Sequence, residues 1–296
     1  MSNIKTIDSI ILGDNQFFGV NHMSETKGRN TREFFKDINE IKKIMYFAMD
    51  FDVKGVFLST HPEIYKISEM MRKDSAIKNN MSIYANIPYI MKYISMANII
   101  GIPNTIKYML QGKTNLENLK FVTSSIKSIL TMDYISVLCK LIDVELRPFQ
   151  DLNVKAVFLH NTLCDLCLGY ELYDVIKVFD DYIKKNCSAI PAYGTLNLPT
   201  FIKLLEKANM NNALIMSAVN KLGYFMNPGV KEYEKIIPKT NHTILAMSTL
   251  ASGAIKPKEA YEYLSNIGIK HIVVGLSTGK HAKETFAMIK KCIIKN

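Results

Sequence analysis

A chain of 296 residues with 48% hydrophobic content is long enough to bury a large core, yet it holds no run of 18 apolar residues, so no membrane span is expected. Five scattered cysteines exclude a disulfide framework, and Met1–Gly13 interrupts its apolar stretch with Lys5 and Asp8 and lacks a signal-peptide layout; a cytoplasmic protein is expected. The net charge of +10 is spread over helix faces at Lys42, Lys43, Lys184, Lys185, Lys290 and Lys291, which reads as a solvated surface or as attraction for anionic substrates or cofactors. No basic stripe is interleaved with aromatics, so no nucleic-acid partner is expected.

Ser9–Gly13 reads as the first strand, followed by a polar and aromatic loop from Asp14 to His22. Asn30 or Thr31 caps a predicted helix running to about Asp50, with Phe34, Ile38, Ile41, Met45 and Ala48 on one face. Val53–Ser59 is the second strand, and Pro62 stands in the first turn of the next helix, where its missing N–H costs nothing. Met81–Ile87 is the third strand. From Pro88 to Leu152 only helical patterns appear, at Tyr89–Ile100, Ile106–Leu110 and Ser124–Ile142. This segment reads as a helical insertion, either a lid over the site or a longer outer layer.

A steady rhythm then sets in. Val154–His160 is the fourth strand, and its helix carries Leu172, Val175, Ile176, Phe179 and Ile183 on one face. Ser188–Tyr193, Ala213–Val219, His242–Met247 and Lys270–Gly275 follow as strands, each with an amphipathic helix behind it and each start one βα unit from the last. Eight strand–helix units predict an α/β fold, a (β/α)8 TIM barrel with a helical insertion between strands three and four at about 88–152. No linker divides residues 1–296, so one domain is expected.

In such barrels chemistry lies at the C-terminal strand ends. His160 ends the apolar run Val157-Phe158-Leu159 and precedes Asn161, a place from which an imidazole donates to a carbonyl or moves a proton. His22, His61 and His160 fall on neighbouring loops, and three imidazoles with Asp14 or Glu63 form a metal-ligand set. No HxH or HExxH spacing accompanies them, so they read as hydrogen-bonding residues and no metal is expected. Cys164 and Cys167 match C-x-x-C, but without a second pair they read as thiols just beyond a strand. Ser277-Thr278-Gly279-Lys280, between strand eight and the last helix, offers exposed N–H groups and a lysine suited to a phosphate; Ser248-Thr249-Leu250-Ala251-Ser252-Gly253 completes that cradle. Neither is a Walker or Rossmann motif.

These late segments resemble the aldo/keto reductase superfamily. Ile244–Gly253 resembles its strand-seven segment, Val273-Val274-Gly275-Leu276-Ser277-Thr278 with Glu284 its strand-eight cofactor loop, and Gly194-Thr195-Leu196-Asn197 its turn after strand five. Phe158-Leu159-His160 matches the strand of its catalytic histidine, and Leu12-Gly13 and Phe18-Gly19 echo its N-terminal glycines. The resemblance implies hydride transfer from NADP or NAD, held by Asn197, Ser248, Ser252, Gly275, Ser277, Thr278 and Lys280. It implies a tyrosine acid helped by lysine and aspartate. Leu58 stands at the aspartate position and Asn86 at the lysine position. Tyr65 falls about two residues late for the acid, and Glu63 lies nearer its spacing. The expected function is an aldo/keto reductase-like enzyme on a small carbonyl or sugar-like substrate, phosphorylated or not, with His160 and Tyr65 at its centre. The alternatives are a non-redox lyase or isomerase using His22, His61, Glu63 and His160, and a barrel that binds a ligand without turning it over.

Overall fold

The computed structural model describes residues 6–20, 25–110, 134–276 and 279–294. Eight parallel strands close into a barrel in sequence order: β1 (Ile10–Leu12), β2 (Gly55–Ser59), β3 (Ser82–Ile87), β4 (Val154–Leu159), β5 (Ile190–Thr195), β6 (Leu214–Ala218), β7 (Thr243–Met247) and β8 (His271–Val274). β8 returns to β1 through Ile10↔Ile272, so no sheet edge is left open. All eight predicted strands are present, with ends within two residues of expectation.

Period-two alternation splits each strand between two cores. Ile11, Phe57, Tyr84, Ala156, Phe158, Ala192, Met216 and Leu245 fill the barrel interior. Their neighbours, such as Leu12, Val56, Leu58, Val157 and Ile215, pack under the helices. Phe57 and Phe158 meet edge to face at 5.4 Å across the interior. The barrel is therefore a packed plug, and space for a ligand exists only at its ends.

The outer layer is α1 (Glu25–Phe35), α2 (Ile38–Asp50), α3 (Ile64–Lys73), α4 (Ser75–Asn80), α5 (Ile90–Leu110), α6 (Tyr134–Leu146), α7 (Asn161–Gly169), α8 (Tyr173–Asn186), α9 (Leu198–Lys207), α10 (Val230–Ile236), α11 (Pro257–Asn266) and α12 (Gly279–Ile289). The single helix expected up to Asp50 is two. Asp37 accepts from Asn39 N at 2.9 Å and caps a new start, because a short acidic side chain competes for backbone N–H groups. Asp74 separates α3 from α4 in the same way, accepting from Ile77 N. Between β3 and β4 lie α5, broken at Gly101 (φ 78°), and α6, so the helical insertion is present. Part of the expected Ser124–Ile142 helix lies outside the described residues. Among the described residues no helix is long and apolar enough to cross a membrane.

Candidate active site

After β1 the chain turns at Asp14 into a short 3-10 turn, Asn15–Phe18, which Gly19 ends at φ 68°. A Cβ on Gly19 would lie 2.5 Å from Arg32 Cβ, so glycine lets α1 close over this turn. Asp14 itself is only 3% exposed at the barrel mouth. Its Oδ2 accepts from Ser59 N at 2.5 Å. Burial outweighs the hydrogen bonds from Ser59 and from Asp14's own backbone and pushes the Asp14 carboxyl up to about 6.

On the neighbouring strand end, Asn86 Nδ2 donates to Ser59 Oγ at 3.3 Å. Asn86 Oδ1 is buried with no hydrogen-bond partner among the described residues. A carbonyl oxygen left so at a barrel mouth is a ready acceptor for a ligand hydroxyl or amide.

His160 follows β4 and caps α7, its Nδ1 accepting from Thr162 N at 3.2 Å. That bond puts the ring proton on Nε2. Burial lowers the imidazole to about 4, so it is neutral near pH 7 and presents an N–H donor. Gly194 allows this cap to sit close to β5, since a Cβ there would lie 3.0 Å from Asn161 N.

An aromatic wall borders these groups. His61 stacks on Phe18 at 4.2 Å and meets Tyr89 edge-on at 5.2 Å. Its Nδ1 accepts from Glu63 N, and burial lowers its pKa. Burial raises the Tyr89 phenol, and the charge of Asp14 raises it further. Tyr89 N donates to Thr60 Oγ1 at 3.1 Å and to Glu145 Oε2 at 3.3 Å. Glu145 is fully buried, accepts from the Thr60 and Tyr93 hydroxyls, and pairs with Lys92 at 2.6 Å. Burial lowers the Lys92 ammonium, while Glu145 opposes that fall. The cluster ties the insertion to the loop after β2 and holds Tyr89 in place.

The predicted residues thus divide. His160 and His61 lie at the mouth. Tyr65, in the first turn of α3, is 55% exposed and lines the same cavity as His61 and Tyr89. Glu63 makes an exposed ion pair with Arg32 at 3.4 Å. Asn197 caps α9, accepting from Thr200 N at 3.4 Å. Ser248 and Ser252 flank a turn in which Ser248, Ala251 and Ser252 all have positive φ, at 53°, 45° and 57°. Three non-glycine residues in that region mark a backbone held in shape by its surroundings. Gly275 follows β8, where a Cβ would approach Gln16 Oε1 to 3.0 Å. His22, Ser277 and Thr278 lie outside the described residues, as does the side chain of Lys280. Among the described residues no His, Cys, Asp and Glu cluster is arranged to hold a metal. Cys164 and Cys167 sit on the buried side of α7; burial pushes Cys167 up to about 11 and raises Cys164 well above the ordinary thiol range, so both are packing thiols.

Sequence reasoning gave Asp14 no leading role and passed over Tyr89 and Glu145. Asp14 carried one signal, its place directly after a strand. Glu145 carried only a faint signal, a carboxylate between Val144 and Leu146.

No protein-family model matches the sequence, and no curated protein matches it. Solved structures do match in fold. A protein from Pseudomonas aeruginosa assigned as an aldo-keto reductase aligns over 98% of this chain and 92% of its own, with TM-score 0.62 and 11% identity. The holo form of an aldo-keto reductase from Bacillus halodurans aligns over 94% and 84%, with TM-score 0.52 and 10% identity. A Bombyx mori aldo-keto reductase in complex with NADP aligns over 96% and 84%, with TM-score 0.50 and 11% identity. The chain is aldo/keto reductase-like in fold, a (β/α)8 barrel whose polar strand ends meet at one mouth.

Proposed function

We propose that the protein is an aldo/keto reductase-like enzyme that acts on a small carbonyl or sugar-like substrate at the C-terminal mouth of its barrel, with NADP or NAD as redox partner. One observation carries the reading: a buried carboxyl, Asp14, is tuned to about 6 at that mouth. A pKa near the working pH suits a general acid and base. The neutral His160, with its proton on Nε2, supplies a hydrogen-bond donor for a carbonyl oxygen.

In the reductive direction, protonated Asp14 gives its proton to the oxygen as the carbonyl becomes an alcohol. In the oxidative direction the Asp14 carboxylate takes that proton. His160 Nε2–H holds the oxygen through both. Asn86 Oδ1 accepts from a neighbouring hydroxyl of a sugar-like substrate. The hydride would come from, or go to, a nicotinamide nucleotide when one is bound. Its phosphates, or those of a phosphorylated substrate, would meet the backbone of the positive-φ turn at Ser248–Gly253 and the start of α12. Gly275, which leaves space beside Gln16, fits the close approach of such a group. The names of the NADP-bound and holo neighbours support a nicotinamide partner. Five free cysteines suit a cytoplasmic location.

Titration with NADPH and NADH, read by nucleotide fluorescence and thermal stability, tests the reading. Saturable micromolar binding, with binding retained but turnover lost in Asp14→Asn, is the expected result. No binding of either nucleotide or its oxidised form removes hydride transfer. The second reading would then stand: an isomerase or lyase in which Asp14 and His160 move protons without redox chemistry. Asn86 at the end of β3, where the resemblance calls for lysine, favours it.

A further inference from the structure

The segment Cys164-Asp165-Leu166-Cys167 carries a carboxylate that has no part in the chemistry at the mouth. Asp165 lies in the second turn of α7. Burial raises its carboxyl above the usual carboxylate range, and bonds from Thr195 and Leu196 oppose that rise. A partly buried carboxylate costs stability unless its oxygens find donors, and here both do. Oδ1 accepts from Thr195 Oγ1 at 2.5 Å, and Oδ2 accepts from Leu196 N at 3.1 Å. Among the described residues Asp165 is the one α7 side chain whose hydrogen bonds reach beyond its own helix and β4.

What Asp165 grips is itself held. Thr195 Oγ1 accepts from Asn197 N at 3.0 Å. Leu196 O accepts from Asn227 N at 2.9 Å and from Tyr233 Oη at 3.2 Å. Tyr233, in α10, is fully buried, and its Oη also accepts from Leu198 N at 3.0 Å. The turn after β5 is therefore a fixed post, tied to α10 on one side and to α7 on the other. The first residue of α7 rests on the same strand: a Cβ on Gly194 would lie 3.4 Å from Asn161 Cα.

His160 stands where the barrel meets this helix. Its backbone belongs to the barrel, since His160 N donates to Ile87 O at 2.8 Å. Its ring is set by α7, since Nδ1 accepts from Thr162 N at 3.2 Å. Thr162 and Asp165 are three residues apart, neighbours on one face of the helix. A carboxylate that fixes the second turn therefore fixes the N–H in the first, and that N–H decides which ring nitrogen carries the proton.

We propose that Asp165 is a positioning residue of the site: by clamping α7 to the turn after β5, it keeps Thr162 N on His160 Nδ1 and so keeps the imidazole as an Nε2–H donor. The use of that donor in turnover rests on the carbonyl-enzyme reading; the hold on the ring does not.

The test reads the ring itself. The whole chain, labelled with nitrogen-15 histidine and free of nucleotide and substrate, is observed by long-range proton–nitrogen correlation at neutral pH. The His160 signal is assigned by its loss in His160→Gln. The parent should show one tautomer, with the proton on Nε2. Asp165→Asn, whose amide offers one acceptor where the carboxylate offers two, should show both tautomers. Thr195→Val should do the same, and Thr195→Ser, which keeps the hydroxyl, should restore the single form. Tyr182→Phe is the control: it loses a 2.6 Å bond to Asp143 outside α7 and should leave the His160 signal unchanged. A single Nε2–H tautomer in both Asp165→Asn and Thr195→Val overturns the proposal, as does a mixture in the parent or in Tyr182→Phe. Equal behaviour of Thr195→Ser and Thr195→Val overturns it in favour of methyl packing. If Asp165→Asn fails to fold, the two Thr195 variants decide. With a substrate in hand, kcat in Asp165→Asn should fall by about tenfold to a hundredfold with KM little changed. A mixed tautomer with full kcat sinks the role of His160 in the carbonyl reading and leaves the clamp standing.

Discussion

Asp8 and Asp14 stand at opposite ends of β1 and live in opposite conditions. At the floor, Asp8 Oδ2 accepts from Tyr84 Oη at 2.6 Å and Lys155 Nζ at 2.9 Å, while Asp8 N donates to Tyr84 Oη at 2.9 Å. His271 Nδ1 lies 3.2 Å from Asp8 O. Tyr84 is pushed far above the ordinary phenol range, first by burial and then by Asp8, so it stays a donor. At the mouth, Asp14 accepts from Ser59 N and has no ion pair among the described residues, where Asn86 Oδ1 is also buried without a partner. One end is satisfied and holds the barrel together. The other carries unspent hydrogen-bonding capacity, which is what a reacting group requires.

The sharpest break in that contrast is Asp14→Asn. Turnover should fall by about 10²–10⁴, the usual worth of a positioned acid or base. An amide oxygen still accepts from Ser59 N, so the fold is kept.

The same site sets a stability signature. Asp14 is raised from 3.8 to about 6, so between those values the folded chain holds a proton that the unfolded chain has lost. Stability therefore declines as pH rises through that window. His160, lowered from 6.5 to about 4, acts oppositely: its contribution is present above 6.5 and lost as pH falls toward 4. Asp14→Asn should be more stable than the parent at pH 7 by about 2–3 kcal/mol, and no more stable below pH 4. Urea unfolding at several pH values checks both. A variant equally stable at both pH values would remove the tuned carboxyl from the site.

At the floor, Tyr84→Phe removes both hydroxyl bonds to Asp8 and should cost about 1–3 kcal/mol in thermal or chemical unfolding, with turnover little changed. A large loss of turnover would show that the two ends are coupled.

The smallest effect is expected at Asn86. Asn86→Ala should cost little stability, because one of its two polar ends is unpartnered. KM for a substrate carrying a neighbouring hydroxyl should rise about tenfold, or about 1.4 kcal/mol, with kcat nearly unchanged.

The barrel was legible because its signals are local. Each strand is a short apolar run, and each helix from Tyr173 onward repeats the 3.6-residue stripe of Ile176, Phe179 and Ile183. His160 was found by the same logic, as a polar residue closing an apolar strand. Cap competition was harder to read: Asp37 and Asp74 start new helices inside what the apolar stripe presents as continuous segments.

The sequence alone determined the parallel barrel, the interruption between β3 and β4, and the strand-end position of His160, because period and strand length are properties of neighbouring residues. Tertiary structure alone decided that Asp14 is the tuned group, since it is buried in the folded barrel and Ser59, whose N–H it accepts, is 45 residues away. It alone placed Tyr89 beside His61, and Glu145 beneath Thr60, Lys92 and Tyr93. It left Tyr65 more than half exposed on α3 and paired Glu63 with Arg32 near the surface. Hydrophobic patterning is written along the chain, whereas desolvation and hydrogen-bond supply depend on which distant segments meet.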